Sequence, residues 1–179
     1  MQFVILGLLL TGPLSLYDVQ KSFRSGISLF YSASAGSIQR ALRGLVDEGS
    51  VSVAAAGEGP RRRKLHTVTG EGRARWRAWM LAPVPDGSNA ETTILAKVFL
   101  LGRLERPQDR EAVLDALQAQ VAAAVDPLEE LAAQLASLAP ELSDEHRRIL
   151  AYQRATLEYG IKSHRLMDTW LDDVRGSRA

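Results

Sequence analysis

The stretch SAGSIQRALRGLVDEGSVSVAAAGEGPRRRKLHTV, residues 34–68, decides how this chain folds. Its first part sets Ile38, Ala41, Leu42, Leu45 and Val46 at the i, i+3, i+4, i+7, i+8 spacing of one helical stripe. Serines at 34 and 37 suit the start of that helix, and Gly49 suits its end. The opposite face carries Ser37, Gln39, Arg40 and Arg43. Gln and Arg have the forked polar groups that match base edges in a major groove, and Ser34 and Ser37 at a helix N-terminus suit phosphate oxygens. Val51-Ser52-Val53 then alternates as a strand does, and Leu65 to Val68 supplies a second strand. Between them Gly57-Glu58-Gly59-Pro60 leads into Arg61, Arg62, Arg63 and Lys64. Four adjacent cations repel one another, and a polyanion such as phosphate backbone relieves that repulsion. A helix followed by a cationic hairpin predicts a helix-turn-helix with a two-stranded β-wing.

The flanking segments complete that unit. Phe3 to Leu10 is apolar throughout and reads as a buried first helix, ended by Gly12-Pro13. Ser15 caps a second helix whose apolar side runs through Leu16, Val19, Gln20 and Phe23. Gly26 closes it, and Ile27 to Tyr31 connects it to the third. After the hairpin, Thr69 caps a helix through Leu81 that carries Arg73, Arg75 and Arg77. Its Trp76 and Trp79 are expected to pack against the core.

Composition bounds the rest. The 179 residues are 46% hydrophobic and 24% charged, which is the ordinary globular range. Without cysteine there is no disulfide, thiolate nucleophile or cysteine-held zinc. His66, His146 and His164 have no metal-ligand spacing, and neither a nucleophile elbow nor a P-loop is present. An enzyme is therefore not expected, nor a cofactor. Phe3 to Leu10 lacks the charged flank of a leader and the length of a membrane span, so the expected location is cytoplasmic. The net charge of +1 conceals an asymmetry. Residues 1–82 hold 11 Lys and Arg against 5 Asp and Glu, a net +6, while residues 83–179 hold 11 against 16, a net −5. One half is built to meet a polyanion.

The order Ile5-Leu6-Gly7-Leu8-Leu9, Gly12-Pro13-Leu14, Tyr17-Asp18, Gly36-Ser37-Ile38, Ala41-Leu42, Glu48-Gly49 and Thr69-Gly70-Glu71-Gly72-Arg73 resembles the PadR family of bacterial transcriptional regulators. The resemblance covers about residues 2–80. The chain departs from it at Leu16, where glycine is frequent, at Gln39-Arg40, where Tyr-Pro is frequent, and at Leu65-His66, where an aromatic pair is common. The resemblance implies a winged helix, a dimer formed through a long C-terminal region and, in some members, a response to phenolic or other apolar compounds.

The second half reads as that dimerisation region. Residues 83–90 are expected to link a DNA-binding domain at 1–82 to a helical domain at 91–179. Ser88 to Glu91 has the pattern of a capping box opening a helix through Leu101. From Gln108 onward Leu114, Leu117, Val121, Ala124, Leu128, Leu131, Leu135 and Leu138 alternate three and four apart, as in a coiled coil. Asp126-Pro127 is expected to kink or break that run. A last helix from about Ser143 to Val174 aligns Ile149, Tyr152, Thr156, Tyr159, Ser163, Leu166 and Trp170. Leu114, Leu117, Val121, Leu128, Leu131, Tyr159, Leu166 and Trp170 are the expected dimer contacts, and Tyr152, Tyr159 and Trp170 an expected pocket for an aromatic effector. The sequence thus predicts a mostly α protein that binds duplex DNA as a homodimer and regulates transcription, with Ser34, Ser37, Gln39, Arg40, Arg43, Arg61, Arg62, Arg63 and Lys64 on the DNA. The alternative is a winged helix that binds protein, with the helical arm as an oligomerisation device.

Overall fold

The computed structural model describes residues 1–56, 63–138 and 143–176. Two compact units divide the chain, Met1–Val113 and Leu114–Ala179.

In the first unit, α1 (Gln2–Leu9) is buried on every side from Val4 to Leu9, which explains why it shows no polar face. Next, β1 (Leu14–Ser15) leads directly into α2 (Leu16–Arg24). Ser15 caps α2 through a reciprocal box: Asp18 N donates to Ser15 Oγ at 3.3 Å, and Ser15 N donates to Asp18 Oδ2 at 3.0 Å. A 3₁₀ turn at Ile27–Leu29 carries the chain to α3 (Ala35–Asp47), capped by Ser34, which accepts from Ser37 N. Ile38, Leu42 and Leu45 of α3 are buried. Gly49 ends this region with φ +75°, a left-handed conformation that a side chain would strain.

The wing strands are β2 (Val51–Ala56) and β3 (Arg63–Val68), antiparallel, with Val51 opposite Val68 and Ala56 opposite Arg63. The expected two-stranded wing is in fact a three-stranded sheet in the order β1-β3-β2, because Leu14 and Ser15 pair with His66 and Leu65. That short strand ties the start of α2 to the wing. Helix α4 (Gly70–Leu81) begins at the Thr69 cap and is held to the end of α3. Thr69 Oγ1 donates to Gly49 O at 2.9 Å, and Arg75 pairs with Glu48. Gly72 packs so closely that a Cβ there would lie 2.1 Å from Ser50 O.

The expected linker at 83–90 does not end the first unit, which continues to Val113. Helix α5 (Ala90–Leu100) places Leu100 against α1, where a Cβ on Gly7 would approach its methyls to 2.7 Å. The capping box expected at Ser88 to Glu91 is not formed. Asn89 is the cap without a side-chain bond, and Thr93 Oγ1 donates to Asn89 O at 2.8 Å instead. A 3₁₀ turn at Leu101–Arg103 follows, and the division between the units falls inside α6 (Pro107–Ala123).

In the second unit, the rest of α6 and α7 (Val125–Leu138) meet α8 (Asp144–Gly176). The helix break falls at Ala124, two residues before the expected Asp126 cap, so Pro127 lies in the first turn of α7. A proline is tolerated there because its missing N–H would have no intrahelical partner. Arg165 of α8 pairs with Glu129, and Arg175 with Asp115, so α8 runs antiparallel across the break. Helix α8 spans 33 residues, about 50 Å. Its buried positions are Leu150, Ile161 and Leu171. They lie on a different face from the expected line of Ile149, Tyr152, Tyr159 and Leu166, which is exposed.

Candidate nucleic-acid interface

The face of α3 turned away from Ile38, Leu42 and Leu45 presents Gln39, Arg40 and Arg43, all exposed. Ser34 and Ser37 are engaged with each other at the head of the helix: Ser37 Oγ donates to Ser34 O at 2.8 Å, and Ser37 N donates to Ser34 Oγ at 3.1 Å. Because Ser34 is the cap, the remaining free N–H groups of the first turn face outward with the positive end of the helix dipole.

An open cleft of about 780 Å³ runs between α2, α3 and the sheet. Leu16, Leu42, Val46 and Val53 form its apolar part, with Gln39 and Arg43 on one side and Arg63 and Lys64 on the other. Lys64 and His66 are two apart on β3 and share a strand face. His66 is fixed in the sheet, with Nδ1 3.2 Å from Leu14 O. Arg63 and Lys64 are exposed, so their charge is available to a partner. The acidic groups nearby are already occupied. The Ser15 hydroxyl and backbone N–H hold the Asp18 carboxyl below its usual range, and Arg63 and Lys21 add attraction. Arg75 does the same for Glu48, chiefly by hydrogen bonding. Among the described residues that line the cleft, the charged side chains are the cations Arg43, Arg63 and Lys64.

Comparison with known proteins gives sequence similarity to transcriptional regulators. No family model matches the chain. A curated relative, the negative transcriptional regulator PadR of Bacillus subtilis (strain 168), is 28% identical over 119 residues. The chain is similar to PadR over that region. The matched region is 66% of this chain and spans 65% of the length of the Bacillus protein. Among solved structures, Bacillus subtilis PadR in complex with operator DNA overlaps 97% of this chain and 94% of its own, with 23% identity and a TM-score of 0.44. The PadR-like regulator of Bacillus cereus overlaps 97% and 94%, with 20% identity and a TM-score of 0.43.

The expected DNA-binding residues fall into three groups. Gln39 and Arg43 share the cleft with Arg63 and Lys64, whereas Arg40 on α3 and Ser34 and Ser37 at its head lie outside the cleft lining. Arg61 and Arg62 lie outside the described residues. Tyr17 and Gln20 of α2 also line the cleft, and sequence reasoning did not place them there. Tyr17 is 63% exposed, with the Arg24 guanidinium 5.9 Å from its ring centroid. The available signal was an aromatic residue on the polar side of an amphipathic helix.

The expected dimer contacts also separate. Leu114, Leu117 and Val121 are buried within the single chain, at 2% exposure or less, and so are already covered. Leu128 is half-buried, Leu131 exposed, and no residue of α7 is buried. Tyr152, Tyr159 and Leu166 stand out from α8 at 75%, 73% and 71% exposure, and Trp170 is half-buried. Exposure on that scale means that Tyr152 and Tyr159 enclose no effector pocket within one chain.

Trp76 is buried as expected, and Trp79 is half-buried, stacked on Phe3 with ring centroids 5.0 Å apart. No helix among the described residues is long and apolar enough to cross a membrane.

Proposed function

We propose that this chain is a cytoplasmic, non-enzymatic transcriptional regulator that binds operator DNA as a homodimer and represses by occupying promoter DNA. The observation that carries the reading is the cleft in which the exposed face of α3 and the cations of β3 converge while the neighbouring carboxylates are paired internally. The similarity to a curated negative transcriptional regulator supports it. In this reading α3 enters a major groove, where Gln39, Arg40 and Arg43 meet base edges. Arg61, Arg62, Arg63 and Lys64 meet the flanking backbone, and Ser34 and Ser37 the phosphates at the head of the helix.

The homodimer rests on α7 and α8. An α7 with no buried residue and an aromatic row on α8 leave apolar surface that a second copy covers. Leu128, Leu131, Tyr159, Leu166 and Trp170 are its proposed contacts, and an apolar effector would meet Tyr152 and Tyr159 between two copies. Two-fold symmetry requires an inverted-repeat operator with half-sites about 34–36 Å apart or a multiple of one helical turn.

A mobility-shift titration against the chain's own upstream DNA, from 50 to 200 mM salt with scrambled competitor, tests the reading. Binding that survives competitor and falls by about 10³–10⁵ over that range is the expected result for six to ten phosphate contacts. Absence of binding at 50 mM salt would refute it and favour the protein-binding alternative.

A further inference from the structure

His66 is the histidine of the cleft between α2, α3 and the sheet, and the DNA-binding reading gives it no role. It sits within β3, with Leu14 of β1 paired to it on one side and Val53 of β2 on the other. Its side chain is half-buried and lines the cleft together with Gln39, Arg43, Arg63 and Lys64. Nδ1 lies 3.2 Å from Leu14 O. A carbonyl oxygen only accepts, so Nδ1 carries a hydrogen, and in the neutral ring Nε2 is then a lone pair. It lies on the side of the ring away from β1. Among the described residues no group donates to it; the contact with Leu14 O is the hydrogen bond His66 makes.

A lone pair is the wrong group to meet a phosphate. Phosphate oxygens accept hydrogen bonds, so neutral His66 sets acceptor against acceptor, whereas a proton on Nε2 turns the ring into a cation that donates. The charged groups around the ring decide when that proton arrives. From α3 comes Arg43, and from β3 itself Arg63 and Lys64, all opposing a further positive charge in the free chain. From α2 come Tyr17, on the cleft with Arg24 against its ring, and Asp18, whose carboxyl is held by Ser15 and attracted by Arg63 and Lys21. Helix α1 and strands β1 and β2 carry no charged side chain. On α4, Glu71 is turned toward Gly49 and Arg73 lines a separate cleft. Cations therefore predominate until a polyanion fills the cleft and reverses the local potential, which favours the protonated ring.

We propose that His66 takes up a proton at Nε2 as DNA fills the cleft, becoming a phosphate donor, so that the affinity of the chain for DNA rises as pH falls through the neutral range. Imidazole is the side chain whose charge changes in that range. Because the DNA-bound form holds one more proton per chain than the free form, raising the proton concentration favours binding. The inference rests on the DNA-binding reading and adds to it a regulation by pH. It also assigns the sheet pairing of Leu14 with His66 a second role, since the Leu14 carbonyl fixes which ring nitrogen is left for the phosphate.

Fluorescence-anisotropy titration of the full chain against its own upstream DNA at pH 6, 7 and 8, repeated at several salt concentrations, tests this with His66→Asn and His66→Lys. Asparagine keeps an N–H for Leu14 O but does not titrate, and lysine is charged throughout. From pH 8 to pH 6 wild-type affinity should rise about tenfold more than that of either variant. The wild-type salt slope should steepen by about one per chain over the same range, the mark of one added phosphate contact, and stay constant in both variants. Far-UV circular dichroism at each pH confirms that the fold is retained. Equal pH dependence in the wild type and either variant, or a wild-type salt slope that does not change with pH, would overturn the proposal and leave DNA binding standing. A wild-type chain that binds no DNA at any of the three pH values would remove the DNA-binding reading and this inference with it.

Discussion

Lys97 is 1% exposed in the last turn of α5, and its behaviour with pH follows from its surroundings. Its ammonium donates to Met80 O in the last turn of α4 at 3.2 Å and to Ala82 O just past its end, and lies 5.5 Å from the Trp79 ring centroid. These contacts favour the charge, since the C-terminus of a helix attracts cations. Burial outweighs them and pushes the pKa from 10.5 down to about 8. Between those values the unfolded chain keeps a proton that the folded chain releases, so stability rises with pH through that window. At 1.36 kcal/mol per unit the full effect is about 3 kcal/mol, of which about 2.5 kcal/mol falls between pH 7 and pH 10. Lys97→Met removes the titration but leaves two carbonyls without their donor, at about 1–3 kcal/mol each if they stay dry. The sign of the variant's effect at pH 7 is therefore a near balance, while its pH dependence is not. Urea denaturation of both proteins at pH 7, 8, 9 and 10, at one protein concentration, isolates this group because other titrations cancel in the difference. The stability difference should move in favour of the wild type by about 2.5 kcal/mol from pH 7 to pH 10. A difference that stays constant across that range would refute the assignment of a buried, charged Lys97.

Three further outcomes are expected. Gly72→Ala forces a methyl to 2.1 Å from Ser50 O, a backbone atom that can retreat only by parting α4 from β2, so thermal denaturation should show a loss of about 1–3 kcal/mol or more. Replacing Arg63 and Lys64 together by alanine should weaken binding to all DNA sequences and lower the salt slope by about two, whereas Arg43→Ala should cost on the order of 1–3 kcal/mol and relax preference at one base pair. Footprinting and salt titration separate these, and an unchanged slope would remove β3 from the DNA. Tyr159→Ser with Leu166→Ser should leave helix content intact and dissociate the proposed dimer at least tenfold more readily in analytical ultracentrifugation, because neither side chain is covered within one chain. A dimer as tight as the wild type would exclude the outward face of α8.

The parts of this fold that the sequence makes legible are those written in local chemistry. Ser15 with Asp18, Ser34 with Ser37 and Thr69 with Gly72 each cap a helix within three residues, and Gly49 terminates one by its own φ. The strand β1 is not legible, because two residues cannot display a period of two; it exists only because β3 offers an unpaired edge. The extent of the first unit is hidden for a related reason. A Pro- and Gly-rich stretch signals a bend in the chain, but whether α5 then leaves or returns depends on a notch at Gly7 that receives Leu100 from 93 residues away. A shorter separation, 17 and 15 residues, conceals the acceptors of Lys97 at Met80 and Ala82.

Helix α8 presents the most instructive case. Its sequence holds two apolar lines, Leu150–Ile161–Leu171 and Tyr152–Tyr159–Leu166, and periodicity alone cannot say which one the chain itself uses. The inner line is aliphatic and closes against residues of the same unit. The outer line is two tyrosines and a leucine and stays bare at 71% exposure or more. A monomer gains nothing from three large apolar side chains in water, and tyrosine is the residue that tolerates both a wet and a dry state. A surface of that composition is what a reversible pairing between copies requires. What the sequence does not reveal is the inner line, because Leu150, Ile161 and Leu171 are covered only once the helices of the same unit have packed.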